Sequence, residues 1–251
     1  MRAIQTAIIV PCYNEAERLD VAAFQQFIAN HPDYLLCFVN DGSSDNTLEV
    51  LDEIKRAEPS RVKIIDQVQN AGKAAAVRAG ALAIYSDTQI QNVGFIDADL
   101  STDFEDFKQL VDTLASQDTL QMVYGSRNSG QDNIERNPFR KLFSNVIKGI
   151  IYFILGLPID DTQCGAKVFS REIVPTAFET SFLTKWLFDV EIFIRLKRYY
   201  GKAVIMDHLY EQPLQRWVHV DDSKLGVKDA VKIPYMLLSI WFSYNIAGQA
   251  I

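Results

Sequence analysis

Gly94-Phe95-Ile96-Asp97-Ala98-Asp99-Leu100 joins a short apolar run to two carboxylates spaced two residues apart. Residues 93–96 read as a strand buried on both faces, as in a parallel sheet. Such strands end at the edge where open α/β sheets bind their ligands. Asp97 and Asp99 then stand at the mouth of a site. Two hard oxygen donors from one strand end suit Mg2+ or Mn2+ held on a diphosphate. Aspartate is also common in turns and caps, including the helix expected near Asp103, so the pair takes its meaning from its neighbours.

Upstream, the same grammar recurs three times. Residues 7–10 (AIIV) stop at Pro11, followed by the polar Pro11-Cys12-Tyr13-Asn14-Glu15 and a helical spacing over 15–28 through Leu19, Ala22, Ala23, Phe27 and Ile28. Residues 35–39 end at Asn40-Asp41-Gly42-Ser43-Ser44-Asp45, where Ser44 or Asp45 caps a helix carrying Leu48, Leu51 and Ile54. Residues 62–65 lead through Asn70-Ala71-Gly72-Lys73 into an alanine-rich helix over 74–85. Successive strand-loop-helix units predict a parallel, doubly wound sheet whose polar loops gather at one edge. Glu15, Asp41, Lys73, Asp97 and Asp99 are thereby expected around one crevice.

Downstream come a helix over 104–114, a strand over 121–124 ending at Gly125-Ser126-Arg127-Asn128, and a polar loop over 129–137. Pro138 starts a helix bearing Arg140, Lys141 and Lys148 beside many apolar residues. A strand is expected over 166–169, a helix over 188–199, a strand over 203–206, and a helix over 226–241 that Pro234 kinks or breaks. With no repeat or linker, residues 1–230 read as one unit, halved at 128, and residues 231–251 as an apolar C-terminal helix.

The 251 residues are 48% hydrophobic, enough for a sizeable core, and a net charge of −7 argues against a general nucleic-acid surface. Three distant cysteines, Cys12, Cys37 and Cys164, fit a reducing compartment and offer no zinc pattern. The start lacks a signal-peptide pattern, so a cytoplasmic protein, or one on the cytosolic membrane face, is expected. Residues 146–159 and 233–251 are apolar but short of a span; they suit a core or a membrane interface. The dinucleotide glycine fingerprint and the GxxxxGK[ST] loop are both missing, which disfavours a dehydrogenase or a P-loop ATPase.

The series VPCYNEAERL, VNDGSSDNT, NAGKAAAVRAG, GFIDADLS and YGSRN resembles the family-2 glycosyltransferases. DDTQCGAKVFSRE, FDVEIFIR and WVHVDDSKLG narrow the resemblance to polyprenyl-phosphate transferases, closest to the dolichyl-phosphate β-glucosyltransferases. It implies an α/β, single-domain A-type fold: a Rossmann-like, mostly parallel sheet with helices on both faces. It further implies that Pro11, Tyr13, Glu15 and Asp41 hold the nucleotide, that Lys73 lies by the nucleotide or diphosphate, and that Asp97 and Asp99 bind Mg2+ or Mn2+. Asp161 is implied near the reaction centre and Gln163 against the sugar, with Trp217 and Lys224 in a lid-like stretch. The aspartate motif continues as Leu100-Ser101-Thr102-Asp103 where many lipid-phosphate members have Gln, which leaves the third metal ligand open.

The implied reaction is inverting transfer of a hexose, glucose before mannose, from UDP-glucose or GDP-mannose to a polyprenyl phosphate, with peripheral membrane contact. A phosphate acceptor is already largely ionised at neutral pH and needs cations more than a base. Arg127, Arg136, Arg140 and Lys141 form the basic cluster for it, with Arg127 and Arg140 favoured by resemblance. A glycan hydroxyl acceptor would instead need a carboxylate base, for which Asp161, Asp189 and Glu191 are the candidates. A non-catalytic nucleotide-sugar-binding protein is the reading from another class, and a sugar-phosphate nucleotidyltransferase a weaker one. Cys164 reads as a packed residue, and His31, His208 and His219 form no ligand pattern.

Overall fold

The structure, a computed structural model, describes residues 4–127, 138–216 and 232–246, with the backbone alone for 138–145. In chain order the elements are β1 (Thr6–Cys12), α1 (Val21–Asn30), β2 (Tyr34–Asp41), α2 (Thr47–Ala57), β3 (Val62–Gln67), α3 (Lys73–Tyr85), β4 (Asn92–Phe95) and α4 (Phe104–Ser116). They are followed by β5 (Met122–Ser126), α5 (Pro138–Leu155), β6 (Lys167–Ser170), α6 (Val174–Phe178), α7 (Phe188–Tyr200), β7 (Leu209–Pro213) and α8 (Ile233–Asn245).

The strands form one seven-stranded sheet in the order β3-β2-β1-β4-β6-β5-β7. β1 pairs in parallel with both β2 and β4, β2 with β3, and β5 with β7, while β6 runs antiparallel between β4 and β5. The chain winds outward from β1 in one direction and returns to β4 on its other side. The order therefore reverses between β1 and β4, and a crevice opens beyond their carboxyl ends.

The twofold alternation of strand side chains splits the core in two. Ala7 and Ile9 of β1 face a cluster that includes α3, α5, α6, α7 and α8, whereas Ile8, Val10 and Cys12 face α1, α2 and α4. α3 lies close on the sheet because four of its six buried positions, Ala74, Ala76, Gly80 and Ala81, are small. A Cβ on Gly80 would come within 2.6 Å of Ile9 Cγ2. This close seat brings the first residue of α3, Lys73, over the strand ends.

The boundaries differ from the sequence pattern in four places. The first helix begins at Val21, where Asp20 caps it by accepting from the Ala23 amide at 3.0 Å. Residues 15–19 are instead a turn tied to the next loop, the Glu15 amide donating to Thr47 Oγ1 at 2.8 Å and the Ala16 amide to Asp45 Oδ2 at 3.1 Å. Asp45 also accepts from the Thr47 amide at 3.0 Å, while the residue at the cap position of α2 is Asn46. Residues 203–206 are not a strand: Ile205 begins a 3-10 turn and is fully buried, and the ladder is joined later, by β7. The last described helix runs on to Asn245, beyond the expected end at 241, and Pro234 sits in its first turn, where the missing N–H costs no helical bond and a helix start takes the place of the expected kink or break. Residues 226–231 of the expected helix lie outside the described residues.

Candidate functional site

A crevice of about 660 Å³ opens at the switch point. The end of β1 supplies Pro11, Tyr13 and Glu15, β2 supplies Asp41, α3 supplies Lys73, and the loop after β4 supplies Asp97 and Asp99. Arg127 and Gln163 reach it from the second half of the chain. The sequence-predicted residues from nine positions thus converge on one cavity.

The β4 loop turns sharply after the second aspartate, with Leu100 at φ +49°. The Leu100 amide donates to the Asp97 carbonyl at 3.2 Å, and the Ser101 amide donates to Asp99 Oδ1 at 3.0 Å. Asp97 pairs with the Lys73 ammonium, and Asp99 Oδ2 accepts from Arg18 at 3.2 Å. Arg18 also lies 3.5 Å from Glu15. Burial alone would lower the Lys73 pKa; Asp97, Asp189 and Asp99 more than reverse this and hold it above that of an ordinary lysine. Behind Asp97 stands Gly165, where any Cβ would overlap the Asp97 carboxylate. Glycine at 165 is therefore the condition for Asp97 to hold this position.

Asp97 and Asp99 fit a divalent cation. Both are hard oxygen donors on one loop, and their side chains keep 31% and 23% exposure toward the crevice. Among the described residues no third His, Cys, Asp or Glu completes a cluster with them. Further ligands would come from phosphate oxygens and water, as is usual for Mg2+. Ser101 approaches Asp99 through its backbone amide.

Asp41 is buried and accepts from the Ala71 and Gly72 amides, each at 2.8 Å. It therefore shapes the loop before Lys73 as well as lining the crevice. Gly72, at φ +96°, lies under the Lys185 side chain, whose carbonyl accepts from the Ala74 amide at 3.1 Å. Gly42, at φ +64°, lets the 40–45 loop pass against residues 69 and 70, since a Cβ there would meet Asn70 N at 2.6 Å.

Arg127, also in the crevice lining, forks onto Asp161, which is 6% exposed. Burial pushes the Asp161 carboxyl up, but Arg127 outweighs it and holds the pKa below the usual aspartate value. Asp161 is positioned in turn by Glu211 of β7, which accepts from the Asp160 and Asp161 amides at 3.0 and 3.1 Å and from Tyr124 Oη at 3.2 Å. Nothing in the sequence singles out Glu211, because its partners lie on distant segments. Arg18 carried a weak signal, three residues beyond Glu15 in the same turn. Lys185 and Trp186, also in the crevice wall, carried none.

The three candidate bases separate. Asp161 is committed to Arg127. Glu191, fully buried, accepts from the Leu183 and Thr184 amides, Thr184 Oγ1 and Tyr244 Oη, and serves to hold the 183–187 loop. Burial raises its pKa. Asp189 lines the crevice but pairs with fully buried Lys167 at 2.6 Å; burial raises its pKa, and Lys167 only partly offsets this. Cys164 is buried with its thiol pushed up by burial, and His31 and His208 stack on Phe27 and Tyr200. The Arg140 and Lys141 side chains, and Asn128, Arg136, Trp217, His219 and Lys224, lie outside what is described.

The sequence profile described as glycosyl transferase family 2 matches residues 7–178. A dolichyl-phosphate beta-glucosyltransferase of Saccharomyces cerevisiae is 30% identical over 95% of this chain and 74% of its own length. One from Trichomonas vaginalis is 29% identical over 94% of this chain and 71% of its own, and one from Drosophila melanogaster 29% over 99% and 78%. Among solved structures, glucosyl-3-phosphoglycerate synthase from Mycobacterium tuberculosis in complex with Mn2+, UDP and glucosyl-3-phosphoglycerate superposes with a TM-score of 0.69. It is 17% identical and covers 95% of this chain and 79% of that one.

Proposed function

This chain belongs to glycosyltransferase family 2, with the A-type fold of that family, and we propose that it moves glucose from UDP-glucose to a polyprenyl phosphate with inversion at C1. The relatives' names support the glucose and the lipid phosphate. The observation that carries the reading is the gathering of two charge systems at one crevice: Asp97 and Asp99 with Lys73, and Arg127, which Asp161 holds from behind the lining.

In this reading Tyr13, Glu15 and the loop shaped by Asp41 hold the nucleotide, and Gln163 touches the sugar. Asp97 and Asp99 would hold Mg2+ or Mn2+, which would supply positive charge for the leaving diphosphate. Lys73 adds a fixed positive charge beside the same oxygens. Arg127 positions the acceptor phosphate, with Arg140 and Lys141 of α5 as further cations for it, and Asp161 keeps the guanidinium plane fixed. A phosphate oxygen then forms the new bond to C1 as the C1–oxygen bond to the diphosphate breaks, and UDP leaves with the electron pair. No proton has to move, in keeping with Asp41, Asp97, Asp99, Asp161 and Asp189, which are engaged in ion pairs or backbone bonds.

The test is transfer of labelled sugar from UDP-glucose, and separately GDP-mannose, to a short polyprenyl phosphate with Mn2+ or Mg2+, beside Asp99→Ala. Glucose entering the lipid phase only with the metal and with Asp99 is the expected result. Metal-dependent donor hydrolysis without lipid product would discard the acceptor, and nucleotide binding with neither activity would discard the catalytic reading.

A further inference from the structure

Arg18 stands on a closed turn rather than on a helix. The Arg18 and Leu19 amides both donate to the Glu15 carbonyl, at 2.9 and 3.0 Å, and Leu19 is buried in the core. The Glu15 and Ala16 amides tie the same turn to Thr47 and Asp45. The backbone under Arg18 is therefore fixed from both ends, and its side chain joins the crevice lining. There the guanidinium lies 3.2 Å from Asp99 Oδ2 and 3.5 Å from Glu15 Oε2, with 25% of the side chain exposed.

Every oxygen of the aspartate pair already has a contact within the chain. Asp99 Oδ1 accepts from the Ser101 amide and Oδ2 from Arg18. Asp97 Oδ1 pairs with Lys73, and Oδ2 is packed on Gly165. Arg18 and Lys73 thus each neutralise one of the two carboxylates. A dication arriving alone meets these two resident cations beside the carboxylates, and a diphosphate arriving alone meets the carboxylates themselves. Arriving together they permit an exchange, in which Asp97 and Asp99 turn to the dication while Arg18 and Lys73 turn to diphosphate oxygens. Opposite charges then stay adjacent throughout.

We propose that Arg18 is the residue that makes divalent-ion binding at Asp99 conditional on the nucleotide diphosphate. It acts through Asp99 as a positioning residue, holding the carboxylate until a diphosphate arrives to take the guanidinium. This rests on the metal reading of Asp97 and Asp99, and adds to it a side chain 81 positions away in the sequence.

The experiment titrates Mn2+ into the full chain, followed by electron paramagnetic resonance, with and without UDP. In the parent, UDP should tighten Mn2+ binding by about 5- to 150-fold. Arg18→Gln and Arg18→Met remove the charge. Each should tighten Mn2+ binding without UDP by about tenfold, and shrink the gain from UDP by that factor or more, with circular dichroism unchanged. Linkage requires an equal loss in the gain that Mn2+ gives to UDP, read by calorimetry. Arg18→Lys should restore the coupling of the parent. A purely structural role for Arg18 predicts the opposite sign, since damage to the turn would weaken the ion. Mn2+ affinity without UDP that is unchanged or weaker in both charge-free variants would overturn the role of Arg18 and leave the metal site standing. A parent that binds no Mn2+ even with UDP would overturn both.

Discussion

Arg127 meets Asp161 as a fork, Nε to Oδ2 at 2.7 Å and Nη2 to Oδ1 at 2.8 Å, and the Arg127 amide adds a bond to Oδ2 at 3.1 Å. One buried carboxylate thus fixes both the backbone and the guanidinium plane of a residue that lines the same crevice as the aspartate pair.

Asp161→Asn should lower the unfolding free energy by about 1–3 kcal/mol at pH 7, toward the smaller end because the Arg127 side chain is partly solvated. The Asp161 pKa is lowered in the folded state, so its contribution is complete above the unfolded value of about 3.9 and is lost as pH falls through the folded one. Urea midpoints of the variant and the parent should therefore converge in strong acid and separate above about pH 4. A constant gap across that range would show that the ion pair is not the source.

Asp99→Asn and Asp97→Asn should each reduce transfer by about 100-fold or more. Both should also weaken Mn2+ binding, followed by electron paramagnetic resonance with UDP present. Chelation of the metal should produce the same loss in the parent. Unaltered Mn2+ binding in both variants would remove these residues from the metal site.

Gly165→Ala places a Cβ against the Asp97 carboxylate. The expected outcome is a folded protein with kcat/KM reduced about 100-fold, since displacement of a positioned group by about 1 Å has effects of that size. The concentration of Mn2+ giving half-maximal rate should rise with it. Parent-like kinetics would mean that Asp97 has room to shift without consequence.

With a phosphate acceptor, kcat/KM should be flat above about pH 7 and fall as the acceptor takes a second proton near pH 6. A rising limb that disappears in Asp189→Asn would instead identify a protein base and a hydroxyl acceptor.

The strand-loop-helix rhythm of residues 7–100 was legible because apolar runs of strand length end abruptly at Pro11, Asn40 and Asp97. The small residues of α3 were visible as well, but not their purpose, which is the close approach of Gly80 to Ile9. Residues 203–206 misled because an apolar stretch states that it will be buried without stating how: Ile205 fills the core from a 3-10 turn. Asp189 and Glu191, two apart at one helix start, looked alike, yet one reaches the crevice and the other holds a loop.

The sequence by itself determined the parallel winding of β1 to β4 and the family, since periodicity and motif spacing are properties of the chain read locally. It also brought Glu15, Asp41, Lys73, Asp97 and Asp99 to one edge, because parallel strands share a carboxyl end. Only the tertiary structure decided which charges meet: Arg18 with Asp99, Arg127 with Asp161, Glu211 behind them. These pairs join residues separated by 81, 34 and 50 positions. Their geometry depends on where β4, β5, β6 and β7 lie in the sheet order, and no local pattern encodes that order.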